Sequence, residues 1–230
     1  MSVVTQIDEE HTIDVLVIGS GMAGICAAIA AARNGCDTAL IESDPCLGGN
    51  GGPMLGVHVS GAHSFHPYAS ETGIIEELEL DAAREVAKTR TWCMHYNISH
   101  QWDLLLERKL EEAGVTVLRL HQGLRAVTKG RRVTAVVVQD VQHFRTKLFT
   151  LRHGLIDASG DGCVAADAGA AYMLGSEGYE RFHERSAGQS DSTDTMGTSI
   201  TALVRRCTHP VEFTMPAGFA ARAEQDRPQQ

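Results

Sequence analysis

Residues 13–18 (IDVLVI) are almost continuously aliphatic, the pattern of a strand buried on both faces of a parallel sheet. After a glycine turn, MAGICAAIAAARNG is an alanine-rich run of strong helix formers that Gly35 stops. Residues 38–41 (TALI) give a second short strand ending at Glu42. Strand, tight turn, helix and strand in about thirty residues predict a βαβ unit with a right-handed crossover. Between 46 and 67, glycines at 48, 49, 51, 52, 56 and 61 leave only a loop with one short strand at 57–59. Helical spacing returns over 71–90 and again over 101–113, where Gly114 ends it, and 115–120 alternates as a strand. Short strands at 124–127, 133–138 and 147–151, turning at KGRR and DVQHF, predict a meander. Residues 154–158 (GLIDA) return as a separate strand, and beyond Gly175 the pattern turns polar apart from a strand-like run at 199–204. Residues 1–11 read as a flexible leader and 219–230 as a disordered tail.

Composition removes several classes of function. With 43% hydrophobic and 21% charged residues in 230, the chain is not wholly disordered. Its net charge of -9 disfavours a nucleic-acid surface, which needs a basic face. The six cysteines form no C-x-x-C pair, so no zinc ribbon or thioredoxin motif is written, and no metal is expected. The apolar stretch 13–32 is interrupted by Asp14, Gly19, Gly21 and Gly24, which excludes a membrane span there. With no basic segment leading into an apolar run at the start, a reduced, cytoplasmic protein is expected.

The strongest motif is Gly19-Ser20-Gly21-Met22-Ala23-Gly24, lying between a predicted strand and a predicted helix. Gly19 permits the tight turn, Gly21 lets a pyrophosphate approach the backbone, and Gly24 lets helix and strand pack closely. The helix N-terminus at Met22 and Ala23 then offers free N–H groups and a partial positive charge, so an acidic protein can still hold phosphates. Glu42, at the end of the second strand, is placed to accept both hydroxyls of an adenosine ribose and to repel a 2′-phosphate. These residues leave NAD and FAD open and make NADP the poorest ligand.

Three further features resemble the FAD-dependent oxidoreductases of the glutathione-reductase-like, two-dinucleotide-fold type. Leu47-Gly48-Gly49-Asn50 is similar to the double-glycine element that runs beside the pyrophosphate toward the flavin. The meander resembles the three-stranded insertion of that fold. Residues 156–162 (IDASGDG) resemble the family's IDATGDG, with Ser159 for Thr and Cys163 in place of a following Asp. The resemblance implies an α/β, Rossmann-like doubly wound parallel sheet with an inserted meander, an FAD-binding domain over 12–175 and the start of a substrate domain over 176–218. It implies non-covalent FAD held by Gly19, Gly21, Met22, Ala23, Gly24, Glu42, Ser43, Gly48, Gly49, Asn50, Leu124, Ala158, Ser159, Gly160 and Asp161. Ser43-Asp44-Pro45 stands where a histidine would precede the double glycine for covalent attachment.

The expected function is oxidation or reduction of a small molecule, with no catalytic residue assigned. Family members carry a further C-terminal stretch, so an alternative is an incomplete dinucleotide-binding module that needs a partner chain. An NAD enzyme without flavin ranks third. His58, His63 and His66 read as loop histidines rather than acid–base groups. Cys46, with no cysteine four residues on, reads as a small hydrophobe. Glu71, Glu76, Glu77 and Glu79 read as a solvated helix start, and Glu107, Arg108, Lys109, Glu111 and Glu112 as an exposed helix face.

Overall fold

The computed structural model describes residues 6–57, 59, 61, 69, 71–89, 100–195, 197 and 206–212. Two compact units divide the chain, Met1–Ser199 and Ile200–Gln230. In the second, residues 206–212 carry no helix or strand. The run at 199–204, the tail at 219–230 and His58, His63 and His66 lie outside the described residues.

The first unit is built on one six-stranded sheet in the order β3-β2-β1-β6-β5-β4. Its strands are β1 (Glu9–Ile18), β2 (Thr38–Glu42), β3 (Thr116–Arg119), β4 (His121–Lys129), β5 (Arg132–Asp140) and β6 (Arg145–Asp157). β3, β2, β1 and β6 run parallel, while β5 and β4 add antiparallel. The long helices are α1 (Met22–Arg33), α2 (Ile74–Thr89) and α3 (His100–Ala113); α4 (Cys163–Asp167) and α5 (Tyr179–Phe182) are short.

All five residues of β2 are buried, as its TALIE sequence demands of an interior parallel strand. On one face of the sheet, Val17 and Leu40 pack with Ile25 and Ile29 of α1, Leu78 of α2, and Trp102, Leu106 and Leu110 of α3. The other face is closed by the sheet itself. The edge strands β3 and β4 are consecutive in sequence, with only Leu120 between them. One residue spans a few ångströms, so the sheet must curl until its two edges meet at that end. Leu120 makes the turn at φ 56. The curl lays Val136 and Val138 of β5 over Leu16, Ile18, Ala39 and Ile41, and Val164 of α4 completes that core.

Three expectations change. The meander's last strand and the returning strand are one continuous element, β6, whose first half pairs with β5 and which pairs with β1 from Lys147 to its end. A register shift marks the join: Ile13 faces Leu151, but Val15 faces Gly154. Asp14 stabilises the bulge by accepting from Arg152 Nη1 at 3.0 Å, which explains why a polar pair interrupts an otherwise apolar strand. β1 is correspondingly longer, because Glu9 to Ile13 pair with Lys147 to Leu151. The leader expected over 1–11 therefore gives way to strand at Glu9. Its polar sequence (EEHT) hides this, since the stabilising partners are cross-strand: Glu9 lies 3.3 Å from Lys147 Nζ, and His11 stacks on Phe149 at 4.8 Å. No strand forms at Val57 or Val59.

Two charges expected to be merely solvated instead clamp the helices. Arg33 of α1 donates to both oxygens of Glu77 in α2, at 2.8 and 2.9 Å, and Lys109 of α3 reaches Glu77 at 3.2 Å and also Asp81. The Arg33 hydrogen bond, followed by that of Lys109, holds the Glu77 carboxyl at about 2 against an ordinary 4.5. A lowered carboxyl pKa stabilises the fold above the ordinary value, and the contribution disappears as pH falls through the folded one. The stability advantage of wild type over Glu77→Gln is therefore expected to be full at neutral pH and to close between about 4.5 and 2. Because the pair is partly solvated, the neutral-pH advantage is about 1 kcal/mol or less. Urea unfolding of both proteins across that range measures it, and a gap independent of pH would refute the clamp.

Candidate functional site

The glycine turn separates into two roles. Gly19 adopts φ +93, and a Cβ there would lie 2.6 Å from Ala158 O. A Cβ on Gly24 would lie 1.9 Å from Gly19 O. Both glycines are required by the fold itself. Gly21 is different: its φ of -58 and ψ of 169 suit any residue, and a Cβ would meet nothing within 4 Å. The open volume over Gly21 has no function in packing. It borders the start of α1, a 12-residue helix whose N-cap is Gly21, with no side-chain cap and no acid in its first turn. Its leading N–H groups, which have no intrahelical partner, point at that space.

Glu42 ends β2 directly beside the turn and is 5% exposed. Its Oε2 accepts from Ser20 N at 2.8 Å and Ser20 Oγ at 2.5 Å. Oε1 accepts from Asp44 N at 2.8 Å and Ser43 Oγ at 3.1 Å. Both oxygens are thus engaged by the protein, and a sugar hydroxyl has to displace one of these donors. Burial, and then the charge of Glu42, push the neighbouring Asp44 carboxyl up.

The second glycine element docks against the first. Gly48 N donates to Ser20 O at 3.0 Å, Gly21 and Gly48 form a parallel bridge, and Gly49 to Gly51 make one 3₁₀ turn. Gly48 sits at φ +109, a conformation that favours glycine. The loop is pinned from beneath by residues the sequence did not mark. Leu47 N donates to Asp103 Oδ1 at 2.8 Å, and Arg119 Nη1 holds both Asp103 oxygens at 2.9 Å. Cys46, His100 and Asp103 place potential metal-ligand atoms within 4.8 Å of one another, yet the Arg119 cation already neutralises Asp103. Burial, and then the Asp103 charge, push the Cys46 thiol up, in keeping with an inert side chain.

The third element, residues 157–162, is ordered by Asp157. That carboxylate accepts from Ser159 N and Oγ at 3.1 and 2.6 Å and from Ala165 N at 2.7 Å. Ser159 Oγ in turn accepts from Gly162 N at 3.1 Å, so its hydroxyl shapes the turn. Ala158 N is held by Ile18 O at 2.8 Å.

The three elements surround a cleft of about 810 Å³, within the range of cofactor sites. Of the expected residues, Gly19, Gly21, Met22, Glu42, Ser43, Gly48, Gly49, Asn50, Ala158, Ser159, Gly160 and Asp161 line it. Ala23, Gly24 and Leu124 do not line it. Ala23 lies on the exposed side of the first helical turn, Gly24 is buried against Gly19, and Leu124 is 39% exposed on β4. In place of Leu124 the wall is made by His121, Gln122 and Gly123, and Met54, Leu55 and Val57 add an apolar side. His121 reaches the wall because the Leu120 turn brings β4 back beside β2, a long-range consequence that no local pattern signals. No Lys or Arg lines the cleft among the described residues. The positive potential offered to the cleft therefore comes from backbone N–H groups and the α1 dipole.

A family model described as FAD dependent oxidoreductase matches residues 14–229. Over 72 residues the chain is 40% identical to digoxin reductase of Eggerthella lenta, covering 29% of this chain and 13% of that protein. Over 39 residues it is 54% identical to a fumarate reductase (cytochrome) of Shewanella frigidimarina, covering 17% of this chain and 7% of that one. The chain thus spans a small part of the relatives it matches. Among solved structures, the flavin-dependent brominase Bmp2 superposes with a TM-score of 0.50 at 21% identity, over 73% of this chain and 43% of that one. That likeness concerns the fold.

Proposed function

Because the chain belongs to the family of FAD-dependent oxidoreductases, we propose that it binds FAD non-covalently and serves the oxidation or reduction of a small molecule. Bound FAD supplies the hydride and electron chemistry. The protein's residues bind and orient it: Gly21 and the α1 N-terminus take the pyrophosphate, and Glu42 takes the adenosine ribose. Gly48 to Asn50 and Ala158 to Asp161 flank the path toward the flavin. The observation that carries this reading is the open space over Gly21, where glycine answers no need of the fold. We assign cofactor binding to 12–175, since every cleft residue lies between Ile18 and Val164, and the beginning of a substrate domain to 176–218. No helix among the described residues is long and apolar enough to cross a membrane; the cytoplasm is the compartment we propose, consistent with free thiols at Cys26, Cys36 and Cys46. The purified chain is expected to be yellow and to release FAD on denaturation, identified by chromatography. Colourless protein that takes up no flavin on incubation with FAD contradicts the proposal.

A second reading is favoured by one surface feature. Tyr172, Met173 and Leu174, at the end of the cofactor domain, and Phe182, just beyond it, are 75, 61, 67 and 56% exposed, large apolar side chains of the kind that contact more protein. On this reading the chain is a cofactor-binding module that works with a further polypeptide. Flavin-loaded protein that electron donors reduce only after the neighbouring gene product is added supports it.

A further inference from the structure

We propose that Ser20 is a positioning residue for the ribose and decides which oxygen of Glu42 the sugar meets. This rests on the dinucleotide reading above. Ser20 is fully buried, and its Oγ donates to Glu42 Oε2 at 2.5 Å while accepting from Gly48 N at 3.2 Å. With no water to turn to, this hydroxyl has no competing acceptor, and the carboxylate oxygen it holds faces inward with the Ser20 N–H beside it. The outer oxygen, Oε1, is held by the fixed Asp44 N–H and by Ser43 Oγ. Ser43 is exposed, and its 3.1 Å hydrogen bond is exchangeable with water. An incoming sugar hydroxyl therefore replaces Ser43 at Oε1, and Oε2 stays with Ser20. Glu42 then recognises the ribose through one oxygen and one hydroxyl. Ser20 also ties the glycine loop at Gly48 to the same carboxylate, so phosphate turn, ribose acid and flavin-side loop are set by a single side chain.

The test uses the flavin-free full chain and calorimetric titration with ADP, 2′-deoxy-ADP and 3′-deoxy-ADP. Wild type is expected to bind ADP and to lose roughly tenfold in affinity for one deoxy analogue only, the size of one charge-assisted hydrogen bond. In Ser20→Ala, Oε2 keeps only the backbone N–H donor and gains a free lone pair for a sugar hydroxyl, so the asymmetry between the two analogues is expected to fall below about threefold. A side chain that merely held the fold together would weaken all three ligands in proportion and leave their ratio alone. In Ser43→Ala, which removes the displaced donor, ADP is expected to bind about two- to fivefold tighter. An asymmetry that survives in Ser20→Ala, or weaker ADP binding in Ser43→Ala, overturns the proposal. Wild type that binds ADP with equal affinity for both analogues overturns it while leaving the dinucleotide site standing. Wild type that binds no ADP removes both.

Discussion

Replacing Gly21 by valine is expected to abolish FAD retention while the fold survives. A Cβ at this position would meet no protein atom within 4 Å beyond its chain neighbours, and the backbone is extended, which valine tolerates. The two added methyl groups project into the space over the first turn of α1, where a pyrophosphate must approach within hydrogen-bonding distance of the leading N–H groups. Holding the phosphates even 1–2 Å away removes those bonds, and each charge-assisted bond contributes about 1.5–3 kcal/mol. Loss of two or three therefore weakens FAD by more than about a hundredfold. Thermal melting of the flavin-free proteins should coincide within about 3 °C, a shift that corresponds to about 1 kcal/mol or less in a chain of this length. Retained FAD, or a collapsed melting curve, would each contradict this assignment.

Three residues along the same motif, Gly24→Val is expected to fail in the opposite way. The new Cβ would lie 1.9 Å from Gly19 O and 3.3 Å from Ala158 Cβ. Neither neighbour can retreat: Gly19 N is bonded to Ile41 O at 2.8 Å and Ala158 N to Ile18 O at 2.8 Å, so both are tied to the central strands just past the ends of β1 and β6. Relief requires α1 to move off the sheet, which opens the core around Val17, Ile25 and Leu40. The expected loss is about 3 kcal/mol or more, at the severe end of overpacking. Urea denaturation of the flavin-free proteins measures it, with the midpoint falling at constant slope. A Gly24→Val protein as stable as wild type would show that helix and turn are not in the contact described. Together the two substitutions divide one six-residue motif into a part the fold needs and a part only a ligand needs.

Much of this organisation is legible in the chain because it is local. The βαβ start, the glycine turn and the acid after β2 follow from periods of two and 3.6 and from glycines that punctuate them. The same holds for the two amphipathic helices. What escapes local reading depends on partners far away in sequence. The polar half of β1 is a strand only because Lys147 to Leu151 run beside it. Two strands merge into β6 because Asp14, 138 residues from Arg152, accepts the bulged arginine. Asp103 and Arg119 look like an exposed helix charge and an edge-strand arginine, yet they fasten the glycine loop through Leu47 N. His121 joins the cleft wall, and Leu124 leaves it, because one left-handed residue at Leu120 brings the two sheet edges together. Ser20 occupies a position the motif leaves free, and only its burial against Glu42 gives it a role.

In the proposed binding mode a dinucleotide's phosphates rest against the opening turn of α1 with its sugar at Glu42. Calorimetric titration of the flavin-free chain with FAD tests this most directly. Saturable heat at one FAD per chain is expected, with ADP competing for the same site and NADP failing to do so. An absence of heat with FAD, or saturation that ADP leaves untouched, would contradict it.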